Sequence, residues 1–165
     1  NPNANVGHDV TYSGTVTAAM EAAIWGLPGI AISLDTPQNH LGDLDYRTPA
    51  RLARYIIARV IQNGLPKGVL LNVNVPYRSM DQIKGFRITR QGLRVYRDLL
   101  IPRKDPRGRP YYWIGGESPT GVPQEGTDLG ALAEGAVSIT PLHLDLTAYN
   151  AFEEMRAWTW NVEEI

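Results

Sequence analysis

The sequence predicts an α/β fold: a Rossmann-like, mostly parallel sheet between helices, with projecting β-hairpins and a C-terminal helix. Three observations predict it. Residues 1–34 read as a polar loop, a helix start, a helix and then a short, almost wholly apolar strand, as a strand covered on both faces would be. A second helical stretch leads into another apolar strand at residues 69–75, and strand, helix, strand in that order are the ingredients of a right-handed crossover. Across residues 84–115 the texture changes to short β-forming pieces separated by turn residues, which reads as hairpins standing out from the main sheet.

The first helix is predicted over residues 13–25. Ser13 is its N-cap, because a hydroxyl there can accept from a backbone N–H of the first turn. Val16, Ala19, Met20, Ala23 and Ile24 repeat at the spacing of one apolar helix face, and Gly26 and Pro28 stop it. After the strand at 29–34 comes a polar, turn-rich loop with Asp35, Pro37, Asn39, His40, Gly42, Asp43 and Asp45. His40 beside those acids reads as surface loop rather than metal site. Thr48 is expected to cap the next helix with Pro49 at its first position. Leu52, Tyr55, Ile56, Arg59, Val60 and Asn63 line up at helical spacing, and Gly64 ends the run. Arg51, Arg54 and Arg59 are expected to face solvent.

In the strand at 69–75, Asn72 and Asn74 share one face, where hydrogen bonding at a strand end accounts for them. Residues 86–89 and 94–96 read as strand pieces around Gly92. Asp105, Pro106, Arg107 and Gly108 make a turn, and residues 111–114 an aromatic strand after it. Strand packing explains those aromatics more simply than base stacking. Residues 117–125 read as a loop, and Thr127 or Asp128 caps a short helix that Gly135 closes. A strand at 136–142 and a last helix over 151–160 follow. Trp158 and Trp160 are costly to expose, so that helix is expected to pack on a neighbour. The chain reads as a single domain, 1–165, with residues 84–115 as an arm within it.

Composition narrows the function. At 165 residues, 43% hydrophobic and 20% charged, the chain is that of one globular domain with a sizeable core. No apolar run approaches a membrane span, so no membrane partner is expected. The absence of Cys excludes disulfides and thiolate metal sites and fits a cytoplasmic location, which is expected here. With only three His, any metal should be held by oxygens. Residues 84–109 hold nine basic side chains against two acidic ones, a local +7 that leaves −8 for the rest. Such a segment can attract phosphate-bearing ligands, although a solvated arm or subunit contact explains most of its arginines.

The first loop carries the chemistry. It ends at the positive end of a helix dipole, where the N–H groups of Gly14, Thr15 and Val16 are free to bind an anion. Most such helix starts cap and do nothing more. Asn occupies three of the first five positions. Asn amides offer hard oxygens to Mg2+, Mn2+ or Ca2+ and N–H donors to phosphate. They also suit a plain turn.

The pattern Asn-x-x-x-Asn-x-Gly-x-Asp-Val-x-Tyr-Ser-Gly-Thr-Val-x-Ala-Ala-Met-Glu over residues 1–21 closely resembles the signature of the SurE family of stationary-phase survival proteins. These are metal-dependent nucleoside-monophosphate phosphatases. Residues 105–115, and Gly126-Thr127-Asp128 leading into 137–142 and 145–147, resemble the same family. The resemblance implies hydrolysis of nucleoside monophosphates, as a 5′- or 3′-nucleotidase, with one divalent metal ion per subunit (Mg2+, Mn2+ or Ca2+). It implies that Asn1 is a metal ligand, that Asn5 lies near the phosphate, and that Ser13, Gly14 and Thr15 hold phosphate oxygens and stabilise charge in the transition state. Asp9 would orient the loop. Asn3 stands where the family has Gly, and Asn tolerates the same left-handed backbone. The family's arms join subunits, so self-association as a dimer or tetramer is expected.

In that family an N-terminal segment precedes this loop and carries an Asp-Asp pair and a Ser that also hold the metal. None of that segment is present in this sequence, so the chain is expected to begin in mid-fold, either as a fragment or with the preceding residues lost, cleaved or left out, and to be catalytically silent by itself. Two other classes stay open: a nucleotide- or anion-binding or oligomer-forming fragment without chemistry, and a nucleic-acid-binding protein using the basic arm. The second is disfavoured, because no recognisable RNA-binding motif accompanies the arm.

Overall fold

The computed structural model describes residues 1–162. Its centre is a four-stranded sheet in the order β1, β2, β6, β3: Gly29–Asp35, Val69–Pro76, Val137–His143 and Phe86–Ile88. β1 pairs with β2 and β3 with β6 in parallel, while β6 runs antiparallel to β2. Two of three pairings are therefore parallel, and the expected α/β architecture is the one observed.

Alternation along these strands builds a different layer on each face. On one side Leu34, Leu71, Val73, Val75 and Val137 are buried against Leu52, Ile56 and Val60 of α2 (Arg47–Asn63). On the other side α1 (Gly14–Ile24) lays Val16 and Ala19 on Ala31 and Leu70. The approach is close, since a Cβ at Gly29 would sit 2.2 Å from the Ala19 carbonyl oxygen. Further along that second face the sheet turns polar. In register across the strands stand Ser33 with Asn74 and Ser138, and Asn72 with Thr140. All five are buried. Buried polar groups need partners, and the first loop supplies many of them.

Several boundaries differ from the sequence reading, each for a local reason. α2 begins before Thr48, with Tyr46 at the N-cap position. There the Asp45 carboxylate takes the Arg47 N–H at 2.9 Å and pairs with its guanidinium. Residues 86–88 do not belong to a projecting hairpin; they form the edge strand β3. One hairpin projects, β4 (Leu93–Lys104) with β5 (Pro110–Val122). β5 continues through most of the stretch read as the 117–125 loop. Pro102 sits in a two-stranded ribbon, where each strand has a free edge that tolerates a missing N–H. α3 spans Asp128–Glu134, capped by Thr127 and closed by Gly135 as expected. The last helix is short: α4 is Phe152–Arg156, after a 3-10 turn at Tyr149–Ala151. Trp158 and Trp160 lie beyond it, their rings tilted at 30° with centroids 5.5 Å apart and both largely exposed.

Candidate functional site

Residues 1–13 run over the polar end of the sheet and into α1. Ser13 caps that helix, its Oγ accepting from the Val16 N–H at 3.1 Å. The expectation that Val16 also offers a free N–H is thus corrected. Gly14 and Thr15 keep theirs without a protein partner among the described residues. Gly14 is exposed and Thr15 half-buried, so this helix end is open to an anion.

Asn5 lies at the inner wall of the loop and is held on several sides. Its N–H donates to Asn74 Oδ1 at 2.8 Å. Its C=O accepts from Asn72 Nδ2 at 2.8 Å and Asn74 Nδ2 at 3.0 Å. Its own Nδ2 donates to Ser33 Oγ at 2.7 Å. Asn1 joins the same cluster: its Nδ2 donates to the Asn3 carbonyl at 2.6 Å and to Ser33 Oγ at 3.4 Å. Asn1 and Asn5 therefore converge on Ser33. Among the described residues no hydrogen bond joins them directly to Ser13, Gly14 or Thr15; the loop between them makes the connection. Asn3 does not use left-handed backbone, because among the described residues no non-glycine residue has positive φ. Gly7 does, at φ 53°.

The loop is pinned from outside as well. Asp128 is fully buried at the start of α3. Its Oδ2 accepts the Gly7 N–H at 2.7 Å, and its Oδ1 accepts those of Gly92 and Leu129 at 2.8 Å. Asp9 pairs with Arg94 at 3.0 Å and accepts from the Tyr96 hydroxyl. That hydrogen bond to a carboxylate, with some burial, pushes the Tyr96 phenol up to about 12. Asp9 thus fastens the loop to the base of the hairpin, which is an orienting role.

A cavity of about 670 Å3 opens beside the loop, lined by Asn3, Asp35, Thr36, His40 and Arg94 among others. Burial raises the Asp35 carboxyl above its usual value, against the opposing pull of Arg94. His40 Nε2 lies 3.2 Å from the Asp43 carbonyl and packs edge-on to Tyr77, as an ordinary loop residue does. Among the described residues no three His, Asp or Glu gather as a metal cluster. Asn1 engages its amide nitrogen and leaves Oδ1 to offer. That hard neutral oxygen suits one position in the shell of a divalent cation and no more.

The sequence placed Asn72 and Asn74 on one face as hydrogen-bonding residues and Asp128 as a cap candidate, but tied neither these nor Ser33, Arg94 and Tyr96 to the first loop. Two signals were available. Asn alternating with Val in an otherwise apolar strand is unusual, and Thr127-Asp128 places two cap-competent residues where one is needed.

The chain matches the family model for survival protein SurE over residues 1–98. It is 48% identical to 5′-nucleotidase SurE of Herpetosiphon aurantiacus over 161 residues, 98% of this chain and 62% of that protein. It is 45% identical to 5′-nucleotidase SurE of Chloroflexus aggregans, over 97% of this chain and 62% of that protein. The crystal structure of the SurE protein from Aquifex aeolicus superposes with a TM-score of 0.76 at 39% identity, covering 94% of this chain and 61% of that one. The chain spans about three fifths of the length of these relatives.

Proposed function

The chain belongs to the SurE family, and from that premise we propose that it carries the phosphate-binding loop of a nucleoside-monophosphate phosphohydrolase, a 5′- or 3′-nucleotidase. The single observation that carries the reading is the loop itself. Residues 1–13, anchored on the buried row of Ser33 and Asn74, end at an exposed helix N-terminus where Gly14 and Thr15 present unpartnered N–H groups. Those groups, with the hydroxyls of Ser13 and Thr15, would bind phosphate oxygens and stabilise charge as it develops. Asn5 would stand against the same phosphate from the inner wall. Its Oδ1 has no protein partner among the described residues.

One divalent metal ion per subunit, Mg2+, Mn2+ or Ca2+, would be held in part by Asn1. When bound it supplies charge neutralisation at the phosphate and a more acidic water. Asn1 offers it a neutral oxygen, and among the described residues no three His, Asp or Glu gather to hold it, so the 165 residues expressed alone are expected to turn over nucleotide poorly. Self-association as a dimer or tetramer is supported by the exposed apolar side chains of the hairpin, Leu99, Leu100, Trp113 and Ile114, and by Trp158 and Trp160. No helix among the described residues is long and apolar enough to cross a membrane.

The test is phosphate release from a panel of 5′- and 3′-nucleoside monophosphates by the protein that carries this chain, with Mn2+ or Mg2+ and with chelator. Release that chelation abolishes is expected. No release from any monophosphate, or release indifferent to chelation, would overturn the reading.

A further inference from the structure

Asn72 and Asn74 alternate with Leu71, Val73 and Val75 on β2, and all five are buried. A strand covered on both faces is normally apolar on both. Here the face toward the loop carries two amides whose side-chain hydrogen bonds, among the described residues, all go to one residue, Asn5. Asn74 grips both main-chain groups of Asn5, accepting its N–H and donating to its C=O; Asn72 donates to that same C=O. Ser33, in register with Asn74, holds the Asn5 side chain from the neighbouring strand. Asn72 Oδ1 is left without a partner among the described residues. Burying an amide oxygen unpaired destabilises a fold, and Leu or Val at that position would avoid it. Local losses of stability that fix one arrangement are characteristic of functional sites.

We propose that Asn74, supported by Asn72, is a positioning residue for phosphomonoester hydrolysis: it holds the Asn5 peptide, and so sets where the Asn5 side chain stands relative to the substrate phosphate. The proposal rests on the phosphohydrolase reading above. Small displacements in such sites are severe, with about a hundredfold in rate following from a shift of about 1 Å. Because Asn74 acts through Asn5, its removal matters only while Asn5 keeps its side chain.

The experiment is a double-mutant cycle on the protein that carries this chain, using nucleoside monophosphate and Mn2+. Asn74→Leu is expected to lower kcat by about tenfold or more, with KM moving less than about threefold. Asn5→Ala is expected to do the same, and the double variant to be no slower than the slower single variant, since residues acting as a unit are not additive. Amide hydrogen exchange at Asn5 should quicken in Asn74→Leu. Should that variant not fold by circular dichroism, Asn74→Ser and Asn72→Leu take its place in the cycle. Additive losses, unchanged kcat in the Asn74 variant, or unchanged exchange at Asn5 would overturn the proposal alone. A wild-type protein without turnover would overturn the phosphohydrolase reading and the proposal with it.

Discussion

The carboxylate of Asp128 accepts the backbone N–H of Gly7 at 2.7 Å, across 121 positions of sequence. Through its other oxygen the same side chain accepts from Gly92 and Leu129. One buried residue thereby joins the first loop, the approach to the hairpin and the start of α3. The loop reaches α1 along a fixed path because its far side is held there and its near side is held by β1 and β2.

Asp128→Ala removes the acceptor from three N–H groups at once. Each buried donor left unpaired costs about 1–3 kcal/mol, so a loss of about 3 kcal/mol or more is expected. Urea unfolding measures it, and an unchanged midpoint would contradict the role assigned to Asp128.

Gly7→Ala tests the path of the loop. The residue sits at φ 53°, and a Cβ there would meet the Gly92 carbonyl oxygen at 2.5 Å. Strained backbone and a main-chain clash together should destabilise by more than about 1 kcal/mol. Gly14→Ala is the control, since a Cβ at Gly14 meets nothing within 4 Å. Its thermal midpoint should match the wild type. Equal midpoints for both variants would show that the loop takes another course.

Much of the fold was legible in the sequence because the deciding information is local. The Ser13 cap, the strands at 29–34 and 69–75, the Gly135 stop and the apolar face of α1 from Val16 to Ala23 all follow from neighbouring residues, although Ile24, expected on that face, is exposed. What was not legible depends on distant partners. Nothing within Phe86–Ile88 tells which sheet a three-residue strand joins. Nothing within Val137–His143 gives its direction against β2. In the site, Asn1, Asn5, Ser13, Gly14 and Thr15 stood out by motif, whereas Ser33 and Asn74 reach Asn5 from 28 and 69 positions away. Short-range patterns carry no record of such contacts.

Tyr96 gives a spectroscopic check on the fastening of the loop to the hairpin. Its phenol is raised from 10.0 to about 12 by donating to Asp9. A group whose native value is raised contributes stability below its unfolded value and loses it above. The Tyr96 contribution is therefore present below pH 10 and disappears toward pH 12. An ultraviolet titration of wild type minus Tyr96→Phe should show one phenol ionising late. A difference spectrum centred on the ordinary tyrosine value would show that the contact with Asp9 does not form.

Asp35 responds in the acid range. Burial raises its carboxyl above 3.8, so the native state holds that proton more tightly than the unfolded chain. Its favourable contribution is complete below 3.8 and is lost as pH rises through the native value. Asp35→Asn stays neutral throughout. It should be more stable than wild type at neutral pH, with the gap closing as the pH falls below the carboxylate range. Thermal melts across that range decide it, and a gap that widens on acidification would contradict the assigned cause.

The central claim is that phosphate is held at the loop and helix end formed by residues 5–15. Its most direct test is turnover of a nucleoside monophosphate, with saturating Mn2+, by the protein that carries this chain and by its Thr15→Ala and Asn5→Ala variants. Losing one charge-stabilising donor from the oxyanion hole of an acyl-transfer enzyme costs about a hundredfold or more, and a fall of more than about tenfold is expected here for each variant, with folding retained. Unchanged turnover in both folded variants would contradict the account.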